Sequence, residues 1–130
     1  MVFCDIAPDT YLMDLDKLEV MFSSKPKGYY KGIIPVDFAG LMVDLEKVRA
    51  IADAYDCWVV EDSCHAPGAH FIDSKGQKTM AGSGVYSDAS IFSFHSVKHI
   101  ACGEGGMVTT NREDVAKSLQ LLRTHDTVSI

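Results

Sequence analysis

The sequence predicts an α/β fold, a sheet with helices on its faces, from three observations. Short apolar runs of strand character alternate with stretches of helical apolar spacing, joined by short links. One run, Cys57-Trp58-Val59-Val60, is unbroken and stops at Glu61-Asp62, as expected of a parallel-sheet strand covered on both faces. The 130 residues, 47% hydrophobic, suffice for one domain with a core and are too few for two.

Taken in order, Val2-Phe3-Cys4-Asp5-Ile6 is a short apolar run closed by Pro8 and Asp9, and reads as a strand. Asp14 is placed to cap a helix with Leu15, Leu18, Met21 and Phe22 along one side. Lys25-Pro26-Lys27-Gly28 breaks that helix. Gly32-Ile33-Ile34-Pro35-Val36 is a second apolar strand, ending near Pro35. Asp44 caps a clearer helix, whose Leu45, Val48, Ile51, Ala52 and Tyr55 share one face. After the Cys57 run, Ala69 to Ile72 and the turn Asp73-Ser74-Lys75-Gly76 predict a hairpin or an irregular excursion. Ala89-Ser90-Ile91-Phe92-Ser93-Phe94 and Met107-Val108-Thr109-Thr110 are further strands. Asn111 with Asp114 has the spacing of a capping box, opening a last helix with Val115, Leu119 and Leu122 inward.

The net charge of -6 argues against broad electrostatic binding of nucleic acid or of an anionic membrane. No stretch has the apolar length to span a bilayer, and Met1-Val2-Phe3-Cys4-Asp5 lacks the features of a signal peptide. A soluble, cytoplasmic protein is expected. Cys4, Cys57, Cys64 and Cys102 have no Cys-x-x-Cys spacing, so they read as reduced and largely buried thiols. Cys64, His65 and Cys102 match no ligand pattern, and no metal site is expected.

Three places carry possible chemistry. Asp62 ends an apolar strand, where ligands of open α/β sheets bind, although on position alone a solvated loop acid is the commoner explanation. Lys98 closely follows Phe92-Ser93-Phe94-His95-Ser96-Val97. A lysine near apolar groups has a lowered pKa and serves as an amine nucleophile toward an aldehyde, while an isolated lysine there is more commonly a solvated one. Ser93 and Ser96 are potential donors to phosphate oxygens. Gly103-Glu104-Gly105-Gly106 is neither a dinucleotide fingerprint nor a P-loop, and a tight turn before a strand accounts for it.

In their order and spacing these segments are more specific than any one of them. Val59-Val60-Glu61-Asp62-Ser63-Cys64-His65-Ala66-Pro67-Gly68-Ala69, then Ile91 to Lys98, then Gly103 to Asn111, resembles the DegT/DnrJ/StrS family of sugar aminotransferases. Asp5-Ile6-Ala7-Pro8-Asp9-Thr10-Tyr11 and Ile34-Pro35-Val36-Asp37-Phe38-Ala39-Gly40 resemble it too, and the likeness runs to about Arg123-Thr124-His125. The wording Asp-Phe-Ala-Gly and Cys-His-Ala-Pro-Gly is nearest the branch that aminates the 4-keto position of UDP-linked acetamido sugars.

The resemblance implies a three-layer α/β/α arrangement, part of the large domain of fold type I pyridoxal-phosphate enzymes. It implies pyridoxal 5'-phosphate as cofactor, with Lys98 condensing with its aldehyde. Asp62 would pair with the pyridinium nitrogen, His65 would lie against the ring, and Ser93 would bind the phosphate. Lys98 would also serve as acid and base in transamination between an amino donor, glutamate, and a nucleotide-linked keto-sugar. A sister group of dehydratases has histidine in place of this lysine, so Lys98 favours transamination. Against the family pattern, residues 1–130 read as a single partial domain without an upstream phosphate-binding segment or the C-terminal small domain. Asp126-Thr127-Val128-Ser129-Ile130 diverge from the family. Family active sites are shared between subunits, so a homodimer is implied for the full-length form. The alternatives are an inactive remnant and a dehydratase.

Overall fold

A computed structural model describes residues 1–123. Thr124 to Ile130, including the Asp126 to Ile130 stretch expected to diverge, lie outside the described residues. The elements are α1 (Leu15–Ser23), β1 (Gly32–Ile33), α2 (Leu45–Ala54), β2 (Trp58–Asp62), β3 (His70–Ile72), β4 (Lys78–Met80), β5 (Ala89–Ser93), β6 (Gly106–Thr109) and α3 (Glu113–Arg123).

The main sheet has the order β1-β2-β5-β6. β1, β2 and β5 are parallel and β6 is antiparallel to β5, giving the predicted α/β character. β3 and β4 form a separate antiparallel hairpin around the Asp73 turn. There the Asp73 carboxylate accepts from the amides of Lys75 and Gln77 at 2.9 and 2.8 Å.

Both early helices start as the sequence predicts. Asp14 accepts from the amides of Asp16 and Lys17, and Asp44 from that of Lys47 at 3.0 Å. Each cap satisfies donors that have no intrahelical partner and is worth ~1 kcal/mol. Leu18 and Phe22 of α1 and Leu45, Val48 and Ala52 of α2 are buried in one core with Ile33 and Val59. Each large side chain buried there contributes ~1.5–3 kcal/mol. The ring of Phe22 lies 4.8 Å from Tyr30 and 5.2 Å from Tyr55, joining both helices to the start of β1.

Five expectations are corrected. Val2 to Ile6 is not a strand: it is exposed, and its one bridge pairs Ile6 with Met13 across a turn in which Tyr11 has φ 59°. An apolar run becomes a strand only beside an edge that pairs with it. β2 is covered on one face among the described residues. Val59 and Glu61 are buried, whereas Trp58, pointing the other way, is 44% exposed. Asn111 does not cap α3; its side-chain amide donates to the carbonyl of Ser83, while the Thr110 hydroxyl accepts the Arg112 amide. In α3, Val115 and Leu119 are half-buried but Leu122 is 73% exposed. The predicted strand at Gly32 ends after two residues, since Pro35 has no N–H to donate; one further bridge joins Val36 to Asp62.

The amino ends of the parallel strands are tied together by one carboxylate. Asp88 accepts from the Val59 amide at 2.7 Å and from the guanidinium groups of Arg49 and Arg112 at 3.0 and 2.9 Å. Its own carbonyl accepts from the Thr110 hydroxyl. Arg49 reaches on to the carbonyl of Cys57 at 2.8 Å. Burial pushes the Asp88 carboxyl up, but the Val59 amide and the two arginines outweigh it and hold the group below the usual carboxylate range.

Candidate active site at the carboxyl ends of the strands

β2 and β5 run side by side with Asp62 opposite Ile91, so Ser93 and the chain that follows leave the sheet at the same end as Asp62. The predicted site residues Asp62, His65, Ser93 and Lys98 all belong to this rim and all are half-buried. Period-2 alternation places the Asp62 side chain on the face of Trp58 and Val60, opposite Val59, Glu61 and Ser63.

Asp62 is held on every backbone group nearby. Its amide donates to the Pro35 carbonyl at 2.9 Å, and its carbonyl accepts from the Asp37 amide at 3.0 Å. One carboxylate oxygen accepts from the amide of Cys64 at 3.1 Å. The Cys64 thiol is pushed up to about 11 by burial, then by a hydrogen bond to Asp62 and that carboxylate's charge; the ammonium of Lys98 works in the opposite sense. Lys98 therefore stands within electrostatic reach of Cys64. No ion pair joins either Asp62 or Lys98 to another described residue, so the carboxylate retains acceptor capacity and the ammonium is uncommitted.

Lys98 sits in the connection from β5 to β6. The Phe94 amide donates to the Gly105 carbonyl at 2.8 Å and the Cys102 amide to the Phe94 carbonyl at 3.0 Å, which closes the base of this loop. Inside it, the Lys98 amide donates to the His95 carbonyl at 2.9 Å. The glycine run read as a tight turn supplies that closure: Gly105 has φ 155°, and a Cβ there would stand 2.8 Å from the Cys102 sulfur. The Ser93 hydroxyl accepts from the His95 amide at 3.4 Å, and its own O–H has no acceptor among the described residues. The His65 ring lies 5.8 Å from that of Phe38, and Phe38 is 6.4 Å from Tyr11.

Behind Asp62 lies a pair of buried carboxyls that the sequence reading did not single out. Asp37 and Glu61, 0% and 1% exposed, are within hydrogen-bonding reach of each other. Asp37 accepts from the Val43 amide at 3.0 Å and the Ser63 hydroxyl at 3.3 Å. Glu61 accepts from the hydroxyls of Ser90 and Ser87 and from the Gly82 amide. Burial, then the Glu61 charge, pushes Asp37 up to about 7, partly opposed by the Val43 and Ser63 donors. A signal for Glu61 was present: alternation along β2 puts it on the face of the buried Val59.

The donor set of this rim suits a phosphorylated pyridine aldehyde. It offers an uncommitted amine for the aldehyde, a fixed carboxylate for a protonated ring nitrogen and a free hydroxyl for a phosphate oxygen. Among the described residues no three His, Cys, Asp or Glu side chains gather as a metal site, and no helix is long and apolar enough to cross a membrane.

The model of the DegT/DnrJ/EryC1/StrS aminotransferase family matches residues 1–129. An uncharacterised protein of Methanocaldococcus jannaschii is 39% identical over 124 residues, which is 95% of this chain and 29% of that protein. PseC of Helicobacter pylori, an aminotransferase involved in the biosynthesis of pseudoaminic acid, superposes with TM-score 0.78 at 29% identity, over 99% of this chain and 32% of PseC. NtdA of Bacillus subtilis, solved with bound cofactor PMP, superposes with TM-score 0.74 at 30% identity, over 92% of this chain and 24% of its own. The chain thus spans about a third or less of the length of these relatives. The likeness carries the fold, that of the fold type I pyridoxal-phosphate enzymes.

Proposed function

We propose that this chain, which belongs to the DegT/DnrJ/EryC1/StrS aminotransferase family, is the central cofactor-binding part of the large domain of a sugar aminotransferase. The observation that carries the reading is the uncommitted ammonium of Lys98 beside the Asp62–Cys64 turn, at the carboxyl ends of two adjacent parallel strands.

Pyridoxal phosphate, when bound, supplies an electron sink for bonds breaking at the carbon that carries nitrogen. Lys98 is the amine that would hold the cofactor covalently. Once free, it would carry the proton between the substrate's carbon and the cofactor's in each half of the reaction, as base and as acid. Asp62 would hold the proton on the ring nitrogen, and its anchoring at both backbone groups keeps that charge in place without side-chain rearrangement. The Ser93 hydroxyl would donate to the phosphate, and the His65 ring would cover the cofactor from one side.

The proposed substrates are a nucleotide-linked keto-sugar and glutamate as donor, in amino-sugar synthesis for surface polysaccharides. The similarity to PseC supports the sugar, and the presence of Lys98, where related dehydratases have histidine, supports amination. A homodimer and a cytoplasmic setting complete the proposal. The test is the visible absorption spectrum of the protein with pyridoxal phosphate, beside Lys98→Ala. A band that needs Lys98 and survives dialysis is the expected result, and identical spectra would overturn the reading.

A further inference from the structure

We propose that Asp37 and Glu61 are positioning residues for Asp62, and this rests on the cofactor reading given above. Asp62 stands between Glu61 and Ser63, and both neighbours turn their side chains into the same buried network. Glu61 is fixed to β5 by Ser90, its direct neighbour in the register, and to the loop before β5 by Ser87 and Gly82. Ser63 is fixed by Asp37, whose backbone amide also takes the carbonyl of Asp62. The two carboxyls thus lock the residues before and after Asp62, while Asp62 itself faces the opposite side of the sheet.

The network is not the cheapest way to fill this space. Two adjacent carboxyls are buried with only neutral donors around them: the amides of Val43 and Gly82 and the hydroxyls of Ser63, Ser87 and Ser90. No cation pairs with either carboxyl among the described residues. Apolar side chains would cost less there, and directional bonds are what the acids add. Asp37 keeps its proton until pH rises through about 7, and losing it adds a negative charge behind Asp62.

Cys64 reports on this without any cofactor, because its amide donates to the Asp62 carboxylate at 3.1 Å and the charge of that carboxylate helps to hold its thiol up. The experiment measures Cys64 alkylation by iodoacetamide, read peptide by peptide in mass spectra, and pyridoxal phosphate affinity by absorbance, from pH 6 to 9. It compares wild type, Asp37→Ala, Glu61→Ala and Asp37→Asn. The alanine variants are expected to alkylate faster and to bind cofactor more weakly, each on the order of tenfold. Asp37→Asn keeps the Val43 bond and a donor toward Glu61, with the Ser63 hydroxyl turned from donor to acceptor of the new NH₂, and stays near wild type at pH 6. It lacks the change that wild type shows near pH 7 beyond ordinary thiol ionisation. If the alanine variants do not fold, this pH comparison alone decides. Alanine variants that match wild type, or superimposable pH curves for wild type and Asp37→Asn, would overturn the proposal. Absence of cofactor binding even in wild type would sink the proposed function and leave the Cys64 result standing.

Discussion

Replacing Asp37 by asparagine should stabilise the protein above neutral pH, and the structure sets the size of the gain. The Asp37 carboxyl is fully buried, faces Glu61, and is raised from 3.8 to about 7. A folded-state value above the unfolded one means that the native state binds the extra proton. Stability from this group is therefore complete below pH 3.8, declines as pH rises and is lost beyond about 7. At about 1.4 kcal/mol for each tenfold change in proton affinity, the loss has a ceiling of ~4 kcal/mol. Asparagine copies the protonated acid: its oxygen accepts from Val43 and its NH₂ donates toward Glu61. Urea denaturation at intervals from pH 5 to 9 measures the effect. The variant's stability relative to wild type should rise by ~2–3 kcal/mol between pH 5 and pH 9, since part of the loss is already present at pH 5. Parallel pH profiles, with a constant difference between the proteins, would refute the reasoning.

Two further outcomes follow from close contacts elsewhere. In Gly106→Ala the new Cβ would stand 2.8 Å from the backbone oxygen of Phe92, so β6 must move off β5 beside Ser93. The expected cost is ~1–3 kcal/mol in denaturant melts, and an unchanged midpoint would show that the strands separate freely. Arg49→Ala removes one cation from Asp88 and one donor from the Cys57 carbonyl. Both partners of the ion pair are about a fifth exposed, so the loss should be nearer ~2 kcal/mol than the larger cost of a fully buried pair. Because Asp88 is held below its usual range, that deficit should shrink as pH falls below about 4, which acid-range melts would reveal.

The parts of the fold that could be read from sequence are those set by local chemistry. Asp44 ahead of Leu45, Val48 and Ala52 announces a capped amphipathic helix, and the structure contains it. The Asp73-Ser74-Lys75-Gly76 turn similarly announces its hairpin. What failed depended on neighbours. Val2 to Ile6 has strand composition but, among the described residues, pairs only through the Ile6–Met13 bridge, and Asn111 bonds the Ser83 carbonyl instead of the first turn of α3. At the site, Asp62, His65, Ser93 and Lys98 were visible because motif wording marks them. The Asp37–Glu61 contact was hidden by a separation of 24 residues and became visible only when parallel pairing brought Val36 beside Asp62.

Strand direction divides the molecule into two ends with different tolerances. The amino ends converge on Asp88, where substitution should lower stability whatever reaction the protein performs. At the carboxyl ends, the exposed loop between Phe94 and Gly105 has its base closed by backbone bonds, which accept many side chains. Substitutions in that loop, Lys98 apart, should therefore draw little on the stability held at the far end. Related chains would then diverge first at the carboxyl ends of the strands and last at the amino ends.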